Sequence, residues 1–218
     1  MATAGLKLYD WCTSSCSFRV RCALHLKGLQ FDSISMPADK RKSGEYAKAN
    51  PQSLIPLLVD GERKLSQSLA IMEYLEEAYQ GTPLLPKDVD GRARVRSISL
   101  FLCCEIQPLQ NTRLASYAAL DPAFDFGRWS KHWTARQMVN LEALLSAPGT
   151  GKFCHGDSPS VADCCLVPQV WNALSPRLNL DLSNMPNTRR VYDNCLKLPA
   201  IQQAMPERQA DYLPIKPL

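Results

Sequence analysis

The chain has 218 residues, 45% hydrophobic, 21% charged and 8% aromatic, enough for one large domain or two small ones, which excludes a largely disordered chain. Its 25 basic and 21 acidic residues leave +4, spread as 10 basic and 9 acidic up to position 85 and 15 and 12 after it, without the basic focus of a nucleic-acid binder. No apolar run approaches the ~20 residues of a membrane span, and Met1-Ala2-Thr3-Ala4-Gly5 lacks the basic and apolar regions of a signal peptide, so a cytoplasmic protein is expected.

Leu6-Lys7-Leu8-Tyr9 alternates apolar and polar residues and stops at Asp10, the pattern of a short strand. After Thr13-Ser14-Ser15 a helix is expected from about Cys16 to Lys27, closed by Gly28. Phe31 to Met36 is a candidate second strand, and the polar stretch from Lys40 to Ala49 has room for a short helix from Ser43. Ile55-Pro56-Leu57-Leu58-Val59 reads as a strand entering a tight turn at Asp60-Gly61, with Glu62 to Leu65 as its returning partner. Ser66-Gln67-Ser68 opens a helix carrying Leu69, Ile71, Met72, Leu75 and Ala78 at helical spacing. The order is βαβαββα.

Residues 80–90 are rich in breakers (Gly81, Pro83, Pro86) and read as a linker between domains 1–82 and 90–218. Beyond it the strand signature vanishes. Val95, Ile98, Leu102 and Ile106 form one helical stripe, Met138, Leu141 and Leu145 another, and Leu166, Val170 and Leu174 a third, in which Pro168 should kink the helix. Ser160-Val161-Ala162-Asp163 has the spacing of a capping box. The second part is therefore all-helical.

Nine cysteines (Cys12, Cys16, Cys22, Cys103, Cys104, Cys154, Cys164, Cys165, Cys195) show neither C-x-x-C nor paired histidine spacing, which argues against a zinc site. Most read as small buried apolar side chains. Cys16 differs, because Thr13-Ser14-Ser15-Cys16-Ser17 lies between a strand end and the first turn of a helix. Free N–H groups and the helix dipole there favour an anion, including a thiolate of Cys16 or of a bound ligand; Arg19 and Arg21, one turn on, can add positive potential. The alternative is a serine-rich cap over a buried cysteine. Ile55-Pro56 is either an ordinary strand start, the commoner choice, or a cis bond that turns a backbone edge outward. Gln67-Ser68 can hold a carboxylate or simply cap its helix.

These features together carry a resemblance. The chain is similar to the cytosolic glutathione transferases, and more narrowly resembles their zeta class, the maleylacetoacetate isomerases. The strings that carry it are Ser14-Ser15-Cys16-Ser17-Phe18-Arg19-Val20-Arg21, Gln67-Ser68-Leu69-Ala70-Ile71, Ile106-Gln107-Pro108-Leu109-Gln110-Asn111, and Ala162-Asp163 with Leu166-Val167-Pro168-Gln169-Val170. The resemblance implies a thioredoxin-like βαβαββα N-terminal domain that binds glutathione, followed by a helical-bundle C-terminal domain that binds substrate. It implies that the Ile55 backbone, before a cis Pro56, binds the cysteinyl part of glutathione, and that Gln67 and Ser68 hold its γ-glutamyl carboxylate. The sulfur is expected at Ser14, Ser15 and Cys16, with Ser14 as the main activating hydroxyl and Gln110 and Asn111 as further glutathione contacts. Arg177, with Arg19 as a second candidate, is expected to take a substrate carboxylate. The segment from Pro37 to Asn50 is shorter than the family pattern, leaving Lys40 and Lys42 as candidates for the glycyl carboxylate.

The implied activity is glutathione-dependent cis–trans isomerisation of maleylacetoacetate in tyrosine and phenylalanine catabolism, by a homodimer, with side transferase activity on α-halo acids. A conjugated cis double bond isomerises when a thiolate adds, the resulting single bond rotates and the thiolate leaves, so the protein must stabilise anions and grip a dicarboxylate. Maleylpyruvate is an alternative substrate. Two other readings compete: a thiol–disulfide oxidoreductase or dehydroascorbate reductase using Cys16, and a non-catalytic module on the same fold.

Overall fold

The computed structural model describes residues 5–42, 44–118 and 120–216. Ser43, the expected start of a short helix, and Met1 to Ala4 lie outside them. The chain divides into two compact units, Met1–Leu84 with Leu198–Leu213, and Leu85–Lys197 with Pro214–Leu218.

The first unit runs β1 (Leu6–Asp10), α1 (Ser15–Leu26), β2 (Phe31–Ser35), α2 (Gly44–Ala49), β3 (Leu57–Asp60), β4 (Arg63–Ser66) and α3 (Ser68–Ala78). This is the expected βαβαββα order. The sheet order is β2-β1-β3-β4, with β1 parallel to β2 and antiparallel to β3. It is the thioredoxin-like arrangement that the resemblance implies. Alternation on β1 sends Leu6 and Leu8 into the core, and Leu57 and Leu58 of β3 join them; each such leucine contributes ~1.5–3 kcal/mol of burial. β4 is an edge strand whose exposed Arg63 and Lys64 discourage pairing with another chain. The β3–β4 turn places Gly61 at φ 58°, where its missing Cβ matters. Asp60, at the end of β3, accepts the hydroxyls of Tyr74 and Tyr79 at 2.5 and 2.6 Å, fixing the hairpin to α3. Ile71, Met72 and Leu75 are buried as expected, but Ala78 is exposed. It is the last residue of α3, beyond the turn that meets the sheet.

The second unit contains α4 (Val89–Leu100), a π-helical stretch over Phe101–Ile106, a 3-10 turn over Gln107–Gln110, α5 (Ala115–Ala118), α6 (Phe126–Ser146), α7 (Val161–Leu174) and α8 (Pro186–Leu196). No strand follows β4 among the described residues, although Thr150 and Gly156 form an isolated bridge. α4 begins inside the expected linker because Asp88 accepts the Gly91 N–H and caps it. α7 is buried almost throughout and runs from Val161 to Leu174 through Pro168 without interruption. Its start is the expected capping box: Asp163, fully buried, accepts from the N–H groups of Ser160 and Cys154 at 2.8 Å each.

One difference from the expected 90–218 domain concerns the last helix, α9 (Pro199–Ala204), which packs on α1 in the first unit. The tie is Arg21. Its guanidinium is fully buried, pairs with Asp10 at 2.9 Å, and donates to the carbonyls of Cys12 at 2.7 Å and Ala204 at 3.0 Å. Asp211 secures the tail by accepting from the Ser35 hydroxyl at 2.8 Å. No described helix is long and apolar enough to cross a membrane.

Candidate active site

β1 delivers the chain to the open end of α1. Ser14 caps that helix: its Oγ accepts the Ser17 N–H at 3.3 Å and its carbonyl accepts that of Phe18 at 2.8 Å. The N–H groups of Ser15 and Cys16 have no helical carbonyl behind them, so the helix start keeps free donors and the positive end of its dipole. Ser14, Ser15 and Cys16 are all half-buried there. The Arg19 Nη1 lies 3.8 Å from Cys16 Sγ and donates to Ser68 Oγ at 3.2 Å, so one buried guanidinium joins the starts of α1 and α3.

Arg21 departs from expectation. Two positions round a helix from Arg19, it faces the interior and Asp10, so its charge is compensated there rather than offered to the α1 start. Burial lifts the Asp10 carboxyl above its ordinary value against the pull of Arg21. The same network shapes the site, because Arg21 grips the Cys12 carbonyl of the β1–α1 loop. Burial and the neighbouring Asp211 push the Cys12 thiol up to about 11, and burial pushes Cys22 to about 12. Both remain thiols at neutral pH, which leaves Cys16 as the accessible sulfur at this end of α1.

Ile55 lies in a buried cluster with Met36, Tyr46 and Leu57, against which Tyr9 and Trp11 pack. The loop before it is tightly held: the Leu54 carbonyl accepts from the Tyr46 hydroxyl and from Asn50 Nδ2, and Gln52 N–H donates to Asn50 Oδ1. The Ile55–Pro56 bond is cis, as the resemblance implies and against the commoner choice. At the next helix start, Gln67 adopts φ 71°, a left-handed conformation that is unfavourable for a side chain bearing a Cβ and tends to mark functional positions. Gln67 makes no side-chain cap bond; its Nε2 donates to Gln52 Oε1 at 2.8 Å, while Ser68 Oγ is taken by Arg19. Simple capping is therefore not what these two side chains do. Gln52 was not singled out by sequence, since a lone glutamine in a polar loop carries no signal. Lys40 and Lys42 are exposed.

The second unit gathers another polar group. Gln110 is buried, and its Nε2 donates to Gln169 Oε1 at 2.7 Å; its carbonyl accepts from Arg177 Nη2 at 2.8 Å. The Arg177 guanidinium lies 5.7 Å from the centre of the Phe126 ring. Gln110 Oε1, Gln169 Nε2 and Arg177 Nε are buried without hydrogen-bond partners among the described residues, an arrangement that normally has an explanation in a ligand or solvent. Burial lowers the Arg177 pKa from its ordinary value. Asn111 instead turns its Oδ1 to the Arg113 N–H at 3.0 Å. Gln169 had a legible signal, a polar residue within the apolar stripe of α7.

The chain is similar to known proteins over nearly its whole length. Residues 8–83 match the family model for the glutathione S-transferase N-terminal domain. The chain is 38% identical to a probable maleylacetoacetate isomerase of Vibrio cholerae, covering 94% of this chain and 98% of that protein. It superposes with TM-score 0.89 and 37% identity on the holo structure of a bacterial zeta-class maleylpyruvate isomerase, over 95% of this chain and 100% of the other. A maleylacetoacetate isomerase of Anaeromyxobacter dehalogenans, solved with dicarboxyethyl glutathione and citrate in its active site, matches with TM-score 0.84 and 38% identity, over 96% and 98% of the two chains.

Proposed function

The chain belongs to the zeta class of the glutathione S-transferases, the maleylacetoacetate isomerase family, and on that footing we propose that it is a glutathione-dependent cis–trans isomerase of maleylacetoacetate. Maleylpyruvate is the closest alternative substrate, and weak transfer of glutathione to α-halo acids is a side activity. The observation that carries the proposal is the α1 start, where Ser14, Ser15 and Cys16 surround free N–H donors and Arg19 links Cys16 to Ser68.

The donor set fits glutathione. Gln67, held in its left-handed conformation without a cap bond, and Ser68 offer an amide and a hydroxyl at a helix start, the chemistry that holds a carboxylate. The Ile55 backbone, next to the cis bond, is the group assigned to the cysteinyl part. When bound, glutathione supplies the sulfur that adds to the conjugated double bond and leaves after rotation. The Ser14 hydroxyl and the N–H groups of Ser15 and Cys16 hold that sulfur as an anion, lowering its pKa from ~8.5. Arg177 takes a substrate carboxylate through its unmet Nε, a planar fork for which lysine is a poor substitute. In this reading residues 1–82 form the glutathione-binding domain and the helical remainder from residue 90, apart from the tail at Leu198–Leu213 that groups with the first unit, forms the substrate-binding domain.

The test is isomerisation of maleylacetoacetate and maleylpyruvate by purified protein with and without glutathione. Activity only with glutathione is expected; a protein that binds glutathione yet isomerises neither compound would falsify the proposal. The guanidinium at 3.8 Å from Cys16 Sγ favours a second reading, disulfide exchange through Cys16 itself. Cys16→Ser separates the two, since exchange would vanish while isomerisation would survive in part. We place the enzyme in the cytoplasm, in tyrosine and phenylalanine catabolism, as a homodimer. Light scattering that returned the 24.3 kDa of a single chain at micromolar concentration would refute the dimer.

A further inference from the structure

Two elements of the second unit are joined by two rungs. One is the amide pair of Gln110 with Gln169 at 2.7 Å. The other is a pair of thiols: Cys103 Sγ lies 3.6 Å from Cys165 Sγ, within van der Waals contact of two sulfurs. Cys165 and Gln169 are four residues apart on α7 and therefore share a face. Cys103 and Gln110 lie on the chain that packs against that face, Cys103 in the π-helical stretch and Gln110 at the end of the 3-10 turn. None of the nine cysteines is in a disulfide, and this pair differs in access: Cys103 is half-buried and Cys165 buried.

We propose that Cys103 and Cys165 form a redox modification site that closes to an intramolecular disulfide by exchange with glutathione disulfide. The half-buried Cys103, as thiolate, attacks one sulfur of glutathione disulfide, forming a mixed disulfide and releasing one glutathione thiolate. Cys165 then attacks the Cys103 sulfur, expelling the second. The two thiols lose two electrons and two protons, and one glutathione disulfide becomes two glutathione molecules. Burial of Cys165 protects it from bulky reagents but not from a neighbour already in contact. Closing from 3.6 Å to a bond of about 2.05 Å draws the sulfurs together by about 1.5 Å. A π-helical stretch, with its looser i→i+5 bonding, is the element best able to absorb that shift. The pull is felt at Gln110, whose carbonyl holds Arg177. Closure thus acts on the group to which a substrate carboxylate is assigned.

The effect on catalysis rests on the proposed isomerase activity; formation of the bond does not. The experiment therefore reads the bond first. Protein carrying Cys104→Ser, which removes the exposed neighbour, is reduced, treated with glutathione disulfide, blocked with N-ethylmaleimide and analysed by peptide mass spectrometry. A peptide pair linked through Cys103 and Cys165, about 2 Da lighter than the two reduced peptides together, is expected. Adding Cys165→Ser should instead trap glutathione on Cys103, a gain of about 305 Da, and Cys103→Ser should give neither product at this position. Diamide as oxidant serves as a glutathione-free arm and should give the same link. The proposal is overturned if Cys103 stays free in excess disulfide, or if it carries glutathione while Cys165 never displaces it. With activity established, the closed form should show a severalfold higher KM for the dicarboxylate, a smaller change in kcat, and recovery on reduction.

Discussion

Arg21→Met replaces the guanidinium with a shorter, unbranched apolar side chain. With it go the 2.9 Å ion pair to Asp10, the bonds to the carbonyls of Cys12 at 2.7 Å, Ala204 at 3.0 Å and, more weakly, Trp11 at 3.5 Å, and the contact over the Phe18 ring. The Asp10 carboxylate, 3% exposed, keeps the Ser33 hydroxyl at 3.1 Å as its remaining side-chain donor among the described residues. Removing one partner of a buried pair costs ~3–5 kcal/mol, and the abandoned carbonyls keep the figure from the lower limit, so about 4 kcal/mol is expected. For a chain of this size that is a fall in Tm of roughly 8–16 °C, and a large fraction of a total stability of ~5–15 kcal/mol. Burial already raises the Asp10 pKa, and without Arg21 the shift grows. Folding then favours the protonated acid, so the deficit should narrow as pH is lowered from neutrality. The double variant Asp10→Leu with Arg21→Met, which leaves no orphaned charge, should recover part of the loss. Urea unfolding followed by circular dichroism measures all three. A loss below ~1 kcal/mol for Arg21→Met, or a deficit independent of pH, would refute the reasoning.

Ser14→Ala removes the expected activating hydroxyl and the cap on the Ser17 N–H; steady-state isomerisation should fall by two or more orders of magnitude, with ~1 kcal/mol of stability lost as well. Cys16→Ala should cost less and act more on glutathione affinity, and the reverse ranking in the same assay would assign the chemistry to Cys16. Arg177→Ala should raise KM for the dicarboxylate about tenfold or more, and Arg177→Lys should recover little of it, because the bidentate fork is lost. Burial alone would raise the pKa of Glu142, yet donors from the backbone and side chains of Thr188 and Asn187 hold it below its ordinary 4.5. Its stabilisation is complete above that value and lost as pH falls through the lowered one. Glu142→Gln should therefore cost ~1–2 kcal/mol near pH 7, allowing for partial exposure, and progressively less in thermal unfolding as pH falls below the ordinary glutamate value.

Periodicity, breakers and caps act within a few residues, and whatever they govern was legible in the chain. Leu6 to Asp10, the Asp60-Gly61 turn, the Ser160/Asp163 box and the buried stripe of Val95, Ile98, Leu102 and Ile106 all stand where local pattern put them. So did the helix start at Ser14-Ser15-Cys16, because free N–H donors belong to any helix end. Tertiary structure decided the partners. Arg19 and Arg21 look alike in sequence, yet one faces Cys16 and Ser68 and the other an acid in the core and a carbonyl 183 positions away. Nothing local could send Pro199–Ala204 back to α1, pair Gln110 with Gln169 across 59 positions, or bring Cys103 to Cys165 across 62. The choice at Ile55–Pro56, and the left-handed Gln67 bonded to Gln52, likewise depend on what packs around them. A side chain's type and its place on a helix are properties of the local chain; the atom it meets is set only when distant segments pack together.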